Sequence, residues 1–251
     1  MLANKRHSFI VNLIKEKGAV TVNELSSKMN VSVETVRRDL LVLEKGNALT
    51  RVHGGAVAMD EMISYHSLSA RKEENVDEKI ELSSIASNLV QDGDIIYVDS
   101  GTTPVHFARA IKNKLVTAIT CSIEVFNELK GGKVKVILCG GEYDAEVASF
   151  CGPLALRTLS NLCIGKAFIF PSAISIRHGV CDFSLTNYSM QVKALEKADK
   201  VYVLASSNKF EKSGLLKLCD TSPDHVYVTD SKIRKEVLNA YRENGLQIIC
   251  K

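Results

Sequence analysis

Residues 31–46 read VSVETVRRDLLVLEKG, and the faces these side chains take on a helix decide what the first part of the chain is. Ser32 is placed to cap a helix that runs from Val33 to about Gly46. Val36, Leu40 and Leu43 fall at i, i+4 and i+7 and make one inward stripe. At about 100° per residue, Glu34, Arg38 and Leu41 then point away from the core, with Thr35 and Arg37 beside them. Upstream, Ile10, Leu13 and Ile14 recur at helical spacing up to Gly18. Thr21-x-x-Glu24 is a capping box, in which Thr21 bonds a free backbone N–H and Glu24 reaches back. Leu25 and Met29 give the second, short helix its apolar stripe, and Asn30, tolerant of the left-handed region, ends it. A short helix, a tight turn and a third helix with outward Thr and Arg make a helix-turn-helix, whose second helix enters the DNA major groove. Arginine suits that task because its fork can bond guanine or a phosphate through two N–H groups. On geometry alone, an ordinary three-helix domain with a solvated Arg37–Arg38 pair stands beside this reading.

Beyond the helix, Asn47 is placed for a left-handed cap. Leu49–His53 alternate as a strand, and Gly54-Gly55 turn it into a hairpin, the wing. Arg51 and His53 then lie near the DNA backbone or minor groove, although a structural role suits His53 equally. Residues 1–56 carry nine Lys/Arg against five acids, and the remainder 23 against 24. A basic head on a neutral body fits an electrostatic grip on nucleic acid.

These residues carry a resemblance. Arg6, Ile10, Ile14, Gly18, Val20, Val22 and Leu25, then Val31-Ser32-x-x-Thr35-Val36-Arg37-Arg38-Asp39-Leu40, Leu43, and Arg51-x-His53-Gly54-Gly55-Ala56 closely resemble the DeoR-type winged helix-turn-helix. The combination is specific and removes the plain three-helix alternative. Ser32, Thr35, Arg37, Arg38, Arg51 and His53 are the expected DNA contacts.

The rest of the chain alternates strand-like and helical segments. Candidate strands are 94–99, 116–120, 134–139, 166–170, 200–205, 225–228 and 246–250. Helical patterns fill most gaps, among them 103–112, 153–161 and 232–244. Short apolar strands alternating with helices argue for a mainly parallel α/β sheet. The expected division is 1–57 for the head, 58–75 for a connector without clear period, and 76–251 for an α/β domain that senses an effector and assembles the protein. In such sheets ligands bind at the carboxyl ends of strands. Asp99-Ser100-Gly101-Thr102-Thr103 closes one strand just before a helix, where hydroxyls and free N–H groups can cradle an anion. Gly140-Gly141 follow another strand, and Lys209 is a candidate phosphate partner. Each also has an ordinary reading, as a capped turn, a tight turn and a surface lysine.

This region is also similar to the DeoR family, whose C-terminal sensor resembles ribose-5-phosphate isomerase. Matching stretches are 99–103, 139–143, 149–153, 166–169, 200–210 and 228–230. The resemblance implies a phosphorylated sugar or related metabolite as effector. Three positions depart from the family pattern. Phe170 and Ala173 stand where glycines are usual, Ser206 stands for an Asp, and Ser189 stands for a Glu one turn before Lys193. Phe170 at a strand end is expected to take up ligand space.

Hydrophobic residues make up 45% and charged residues 24% of the 251, so a buried core is expected rather than disorder. No apolar run approaches the ~20 residues of a membrane span, and the N-terminus lacks a signal-peptide pattern, which points to the cytoplasm and no membrane partner. Seven cysteines, all after residue 120 and none spaced C-x-x-C, read as reduced, buried or half-buried thiols rather than a metal site. The leading expectation is a repressor of carbohydrate genes that is not an enzyme, binds double-stranded operator DNA and a small phosphorylated metabolite, needs no cofactor or metal, and forms a homodimer or homotetramer. The alternatives are a DNA-binding oligomer with a silent sensor domain, and an isomerase-like enzyme with Asp99 as base.

Overall fold

The structure, a computed structural model, describes residues 3–17, 19–46, 48–52, 54–57 and 68–250. The head contains α1 (Ala3–Lys17), β1 (Ala19–Thr21), α2 (Val22–Met29), α3 (Val33–Lys45), β2 (Thr50–Val52) and β3 (Gly55–Val57). Thr21 Oγ1 accepts the Glu24 N–H at 3.0 Å, as the capping box requires. Its return half differs: the Glu24 carboxylate is held by Lys17 Nζ at 2.5 Å. Asn30 closes α2 at φ 52°, in the left-handed region, and Ser32 caps α3 through the Thr35 N–H at 3.2 Å. Val36, Leu40 and Leu43 are buried against Ile10, Ile14, Leu25 and Met29, the stripes that periodicity assigns to the core. Strands β1, β3 and β2 form a small antiparallel sheet with β3 in the centre. Gly18, Asn47 and His53 lie outside the described residues.

Two helices lead into the second domain, α4 (Leu68–Glu73) and α5 (Val76–Ser87). The connector expected at 58–75 therefore contains a helix, and its residues 58–67 lie outside the described set. After α5 come β4 (Ile95–Val98), α6 (Thr102–Ile111), β5 (Thr117–Thr120), α7 (Ile123–Leu129), β6 (Lys135–Leu138), β7 (Glu142–Asp144), β8 (Ser149–Cys151) and α8 (Gly152–Ser160). Then follow β9 (Ile164–Ile169), β10 (Ala173–Ser175), β11 (Gly179–Asp182), α9 (Leu185–Lys197), β12 (Ala198–Leu204) and a 3-10 turn at Ser207–Lys209. The chain ends with β13 (Leu216–Cys219), β14 (Val226–Val228), α10 (Lys235–Glu243) and β15 (Gln247–Ile249).

All seven candidate strands of the second domain become the seven strands of one sheet, in the order β15-β14-β12-β9-β4-β5-β6 and parallel throughout. Their near-continuous apolar runs follow from burial on both faces. Phe168 and Phe170 of β9 and its end, with Tyr202 and Leu204 of β12, pack against α5, α6 and α7, whereas Ala167, Ile169, Val201 and Val203 pack against α8, α9 and α10. Phe168 stacks on Tyr202 at 4.9 Å and meets Phe107 of α6 at 4.6 Å, pairs each worth about 0.5–1.5 kcal/mol beyond area burial. The chain runs outward from β4 through β5 to β6, then returns to β9 on the other side of β4 and continues to β15. The order reverses between β4 and β9, and such a switch point leaves a crevice at the carboxyl ends of the strands. A second, antiparallel sheet, β10-β11-β13, stands beside that crevice.

Candidate functional site

On the head, Arg37 and Arg38 project from α3 with side chains 64% and 79% exposed. Glu34 lies 3.8 Å from one and 3.9 Å from the other, loose surface pairs worth at most ~1 kcal/mol that a phosphate can displace. Ser32 and Thr35 share a hydroxyl contact at 2.9 Å and form the cap at the start of this face. Arg51 on β2 is held by Glu44 twice, through its side chain at 3.1 Å and its backbone N–H at 3.0 Å. One exposed surface therefore carries Ser32, Thr35, Arg37 and Arg38, with Arg51 on the adjacent wing strand.

Asp39, inside the same motif, has a different task. It is 5% exposed and accepts two hydrogen bonds from Arg6, at 2.6 and 2.9 Å, and pairs with His7 Nε2 at 3.0 Å. Burial alone would raise its carboxyl, but the bonds from Arg6 and His7 outweigh that and hold it below the usual carboxylate range. Asp39 thus pins α1 to α3 and sets the angle at which the arginine face is presented.

The second site is a cleft at the β4/β9 switch point, enclosing about 420 Å³ including its open mouth. The Ser100–Pro104 loop after β4, Phe170 and Ser172 after β9, and Lys209 after β12 line it. Gly101 takes φ 128° and ψ −169°, a conformation that glycine tolerates, and turns the chain into α6 with no side chain capping the first turn. The free N–H groups there favour an anion. Lys209 is half-buried, its Nζ donating to the Pro171 carbonyl at 2.9 Å. Burial pushes its ammonium down to about 8, although Asp182 and Asp99 pull the other way. Among the described residues, Ser100 Oγ and Asn187 Oδ1 are buried without a hydrogen-bond partner, and both residues line this cleft.

Asp99, Gly140 and Gly141 are placed differently from expectation. Asp99 is fully buried behind the loop and is not in the lining. It accepts from the Ser100 N–H at 2.8 Å, the Phe170 N–H at 3.1 Å and Gln191 Nε2 at 3.0 Å. Its task is to tie the ends of β4 and β9 together. Burial pushes its carboxyl up to about 7 against those bonds. Gly140 and Gly141 are also outside the lining. At Gly141 a Cβ would come within 2.4 Å of the Cys151 carbonyl oxygen, so the residue serves the close packing of β8 and α8. Phe170 reaches the cleft wall, but its ring packs on Phe107 at 5.8 Å in the core, so most of its volume is taken from the core rather than from the cleft. Ser206 is buried and opens the turn that carries Lys209, and Asp230 holds the turn through the Ser207 N–H at 2.7 Å. Ser189 is on the exposed side of α9. All seven cysteines are free thiols, with Cys163 exposed rather than buried or half-buried.

Several lining residues carried no local signal in the sequence: Arg71, Ser172, Asp182, Ser184 and Asn187. Arg71 sits on α4, and buried Lys79 donates to its carbonyl. Asp182 accepts from Ser172 Oγ at 2.9 Å and from Gln191 Nε2 at 2.9 Å. The Phe183 and Ser184 N–H groups complete its shell. Gln191 therefore bridges Asp99 and Asp182. The one available hint was the polar pair Asn187 and Gln191, four apart on an otherwise apolar face of α9.

Comparison with known proteins matches both parts of the chain. Residues 74–231 match the sequence model of the DeoR C terminal sensor domain, and residues 6–62 that of the DeoR-like helix-turn-helix domain. The chain is 30% identical over 250 residues to the putative aga operon transcriptional repressor of Escherichia coli O157:H7, covering 98% of this chain and 93% of that one. It is 31% identical over 231 residues to the L-fucose operon activator of Haemophilus influenzae, covering 92% and 93%. Among solved structures it is similar to ribose 5-phosphate isomerase A of Methanocaldococcus jannaschii, at 18% identity and a TM-score of 0.43, over 55% of this chain and 56% of that one.

Proposed function

Because the chain belongs to the DeoR family of transcription regulators, we propose that it represses carbohydrate-metabolism genes and that a small phosphorylated metabolite in the β4/β9 cleft sets its affinity for operator DNA. The observation that carries this reading is the mixed chemistry of the cleft lining. It includes an uncapped helix N-terminus and the half-buried side chains of Lys209 and Arg71, which suit a phosphate. It also includes Asn187 Oδ1, a buried acceptor without a donor among the described residues, which suits a hydroxyl, since an unmade buried hydrogen bond costs about 1–3 kcal/mol. Groups for an anion and an acceptor for a hydroxyl in one cleft suit a sugar phosphate.

The control follows from linkage. An effector that binds one conformation better shifts the protein toward it, and DNA affinity changes by the same coupling, typically ~1–3 kcal/mol. A two-fold oligomer would match paired operator half-sites. An isomerase activity is disfavoured because a general base must reach its substrate. Asp99 is sealed behind the loop, and both oxygens of Asp182 are occupied.

The test is thermal melting against a panel of sugar phosphates. A true ligand at a hundred times its Kd stabilises by about 2.7 kcal/mol. If none of the panel shifts the melting temperature, the sensing role fails and the silent-sensor reading takes its place. Mapping of genomic binding sites would then identify the regulated genes in either case.

A further inference from the structure

The Gly54-Gly55 turn of the wing is covered by the second domain. A Cβ on Gly54 would lie 2.3 Å from Leu185 Cδ1, and one on Gly55 2.6 Å from Leu215 Cδ1 and 2.1 Å from the Val20 carbonyl oxygen. Around this contact Ala19 of β1 and Val57 of β3 bury together with Phe183 and Leu215 in a small apolar cluster, joined by Val52 and Leu216. These glycines leave room for leucines from another domain as well as turning a hairpin.

The covering residues come from the segment that walls the cleft. Asp182, Ser184 and Asn187 line the cleft, whereas Phe183 packs under the wing sheet and Leu185 covers Gly54. Cleft-facing and wing-facing side chains alternate along 182–185, as they must where extended chain presents successive residues to opposite sides. We propose that residues 182–187 form a two-faced strip, an intramolecular docking surface whose outer side seats the wing turn and whose inner side reads the occupant of the cleft. A ligand that draws Ser184 or Asn187 inward displaces Phe183 and Leu185 with them, because Ser184 is bonded directly to both and its Oγ accepts the Asn187 N–H at 3.2 Å. The wing seat then moves, and with it the arginine face of α3, since the Val22 N–H bonds the Gly54 carbonyl at 2.8 Å and ties the turn to the helix-turn-helix. The docking stands on its own geometry, while its control by a ligand rests on the cleft reading above.

Hydrogen–deuterium exchange on the full chain tests both parts. Leu185 is 44% exposed, so Leu185→Asp leaves the core intact while placing a charge on the wing turn. The expected result is amide exchange at least about tenfold faster in residues 50–57, with α3 and the 99–104 loop unchanged. Gly54→Ala should speed the same amides, and Leu185→Ala should partly reverse that effect by vacating the space. Unchanged wing exchange in Leu185→Asp, or no reversal in the double variant, overturns the docking surface. Inorganic phosphate added to the wild type should alter exchange at 181–187 and 50–57 together, and in Leu185→Asp at 181–187 alone. A response at 181–187 with a silent wing in the wild type overturns the coupling. A response at neither sinks the anion-cleft reading and the coupling built on it, leaving the docking surface to be decided by the variants.

Discussion

Raising the pH should weaken anion binding in the cleft, and Lys209 fixes both the window and the size of the effect. Its ammonium has Asp182, Asp99, Arg71 and Lys79 as its charged neighbours, and desolvation pushes it down to about 8. A bound anion favours the charged form and returns the group toward its ordinary value of about 10.4. The ligand-bound state thus holds a proton that the free state loses above about pH 8, so affinity must fall as pH rises through that value. Between about pH 7 and about pH 9 the loss is roughly tenfold, or ~1.4 kcal/mol, with most of it above about pH 8. Sulfate is the suitable probe because it does not titrate in this range, and its affinity can be read from the melting shift at each pH. Asp99, pushed up to about 7, becomes negative earlier and adds a shallower decline at lower pH. Lys209→Met should bind sulfate more weakly and without the upper step. Sulfate affinity that is flat from about pH 7 to about pH 9 in the wild type, or an upper step that survives Lys209→Met, would refute the proposed role of Lys209 in anion binding.

Arg38→Ala should lower operator affinity by about 1–3 kcal/mol and relax base preference, while the melting temperature barely moves, since the side chain holds only a 3.9 Å surface pair; unchanged operator affinity in a gel-shift titration would mean another face binds DNA. Asp39→Asn should destabilise the head by ~2 kcal/mol in urea unfolding through loss of charge-assisted bonds to Arg6. Because the Asp39 carboxyl lies below its ordinary value, its contribution is present above about pH 4 and lost as pH falls through the folded value, so the variant and wild type should converge in acid. Gly101→Ala meets no atom closer than Pro104 Cδ at 3.6 Å but must hold φ 128°, so calorimetry should show a loss of about 1–3 kcal/mol from backbone strain, and the sulfate response should weaken with it. Arg71→Gln should weaken sulfate binding with little change in melting of the empty protein; an unaltered sulfate affinity would place Arg71 outside the site.

The architecture was legible wherever a single physical rule acted locally. The seven strands of the parallel sheet are buried on both faces, so each appears in the sequence as a short apolar run between helical patterns, and no tertiary knowledge is needed to find it. The α3 stripe of Val36, Leu40 and Leu43 is equally local. The antiparallel strands β10, β11 and β13 were not found. They are three or four residues long, and β11 opens on Gly179, where a Cβ would approach the Cys219 carbonyl oxygen to 2.3 Å. Their pairing is fixed by where β9 and β12 end rather than by their own sequence.

The cleft was half legible for a related reason. One wall is a continuous loop, Ser100–Thr103, whose chemistry can be read in order. Its other wall is assembled across the chain: Gln191 reaches Asp99 over 92 positions and Asp182 over nine. Acids inside motifs show what local reading misses. Asp99 is expected in the anion site because it stands beside hydroxyls, whereas Asp39, beside two arginines, carries no expected contact. In the structure each is buried and surrounded by donors, Asp99 by backbone and Gln191, Asp39 by Arg6 and His7. Burial, with three donors on each, turns both carboxylates to structural work. The lining side chains with unmade bonds among the described residues are Ser100 and Asn187. Which polar groups a fold leaves unsatisfied is a property of the assembled network, and no spacing rule reaches it.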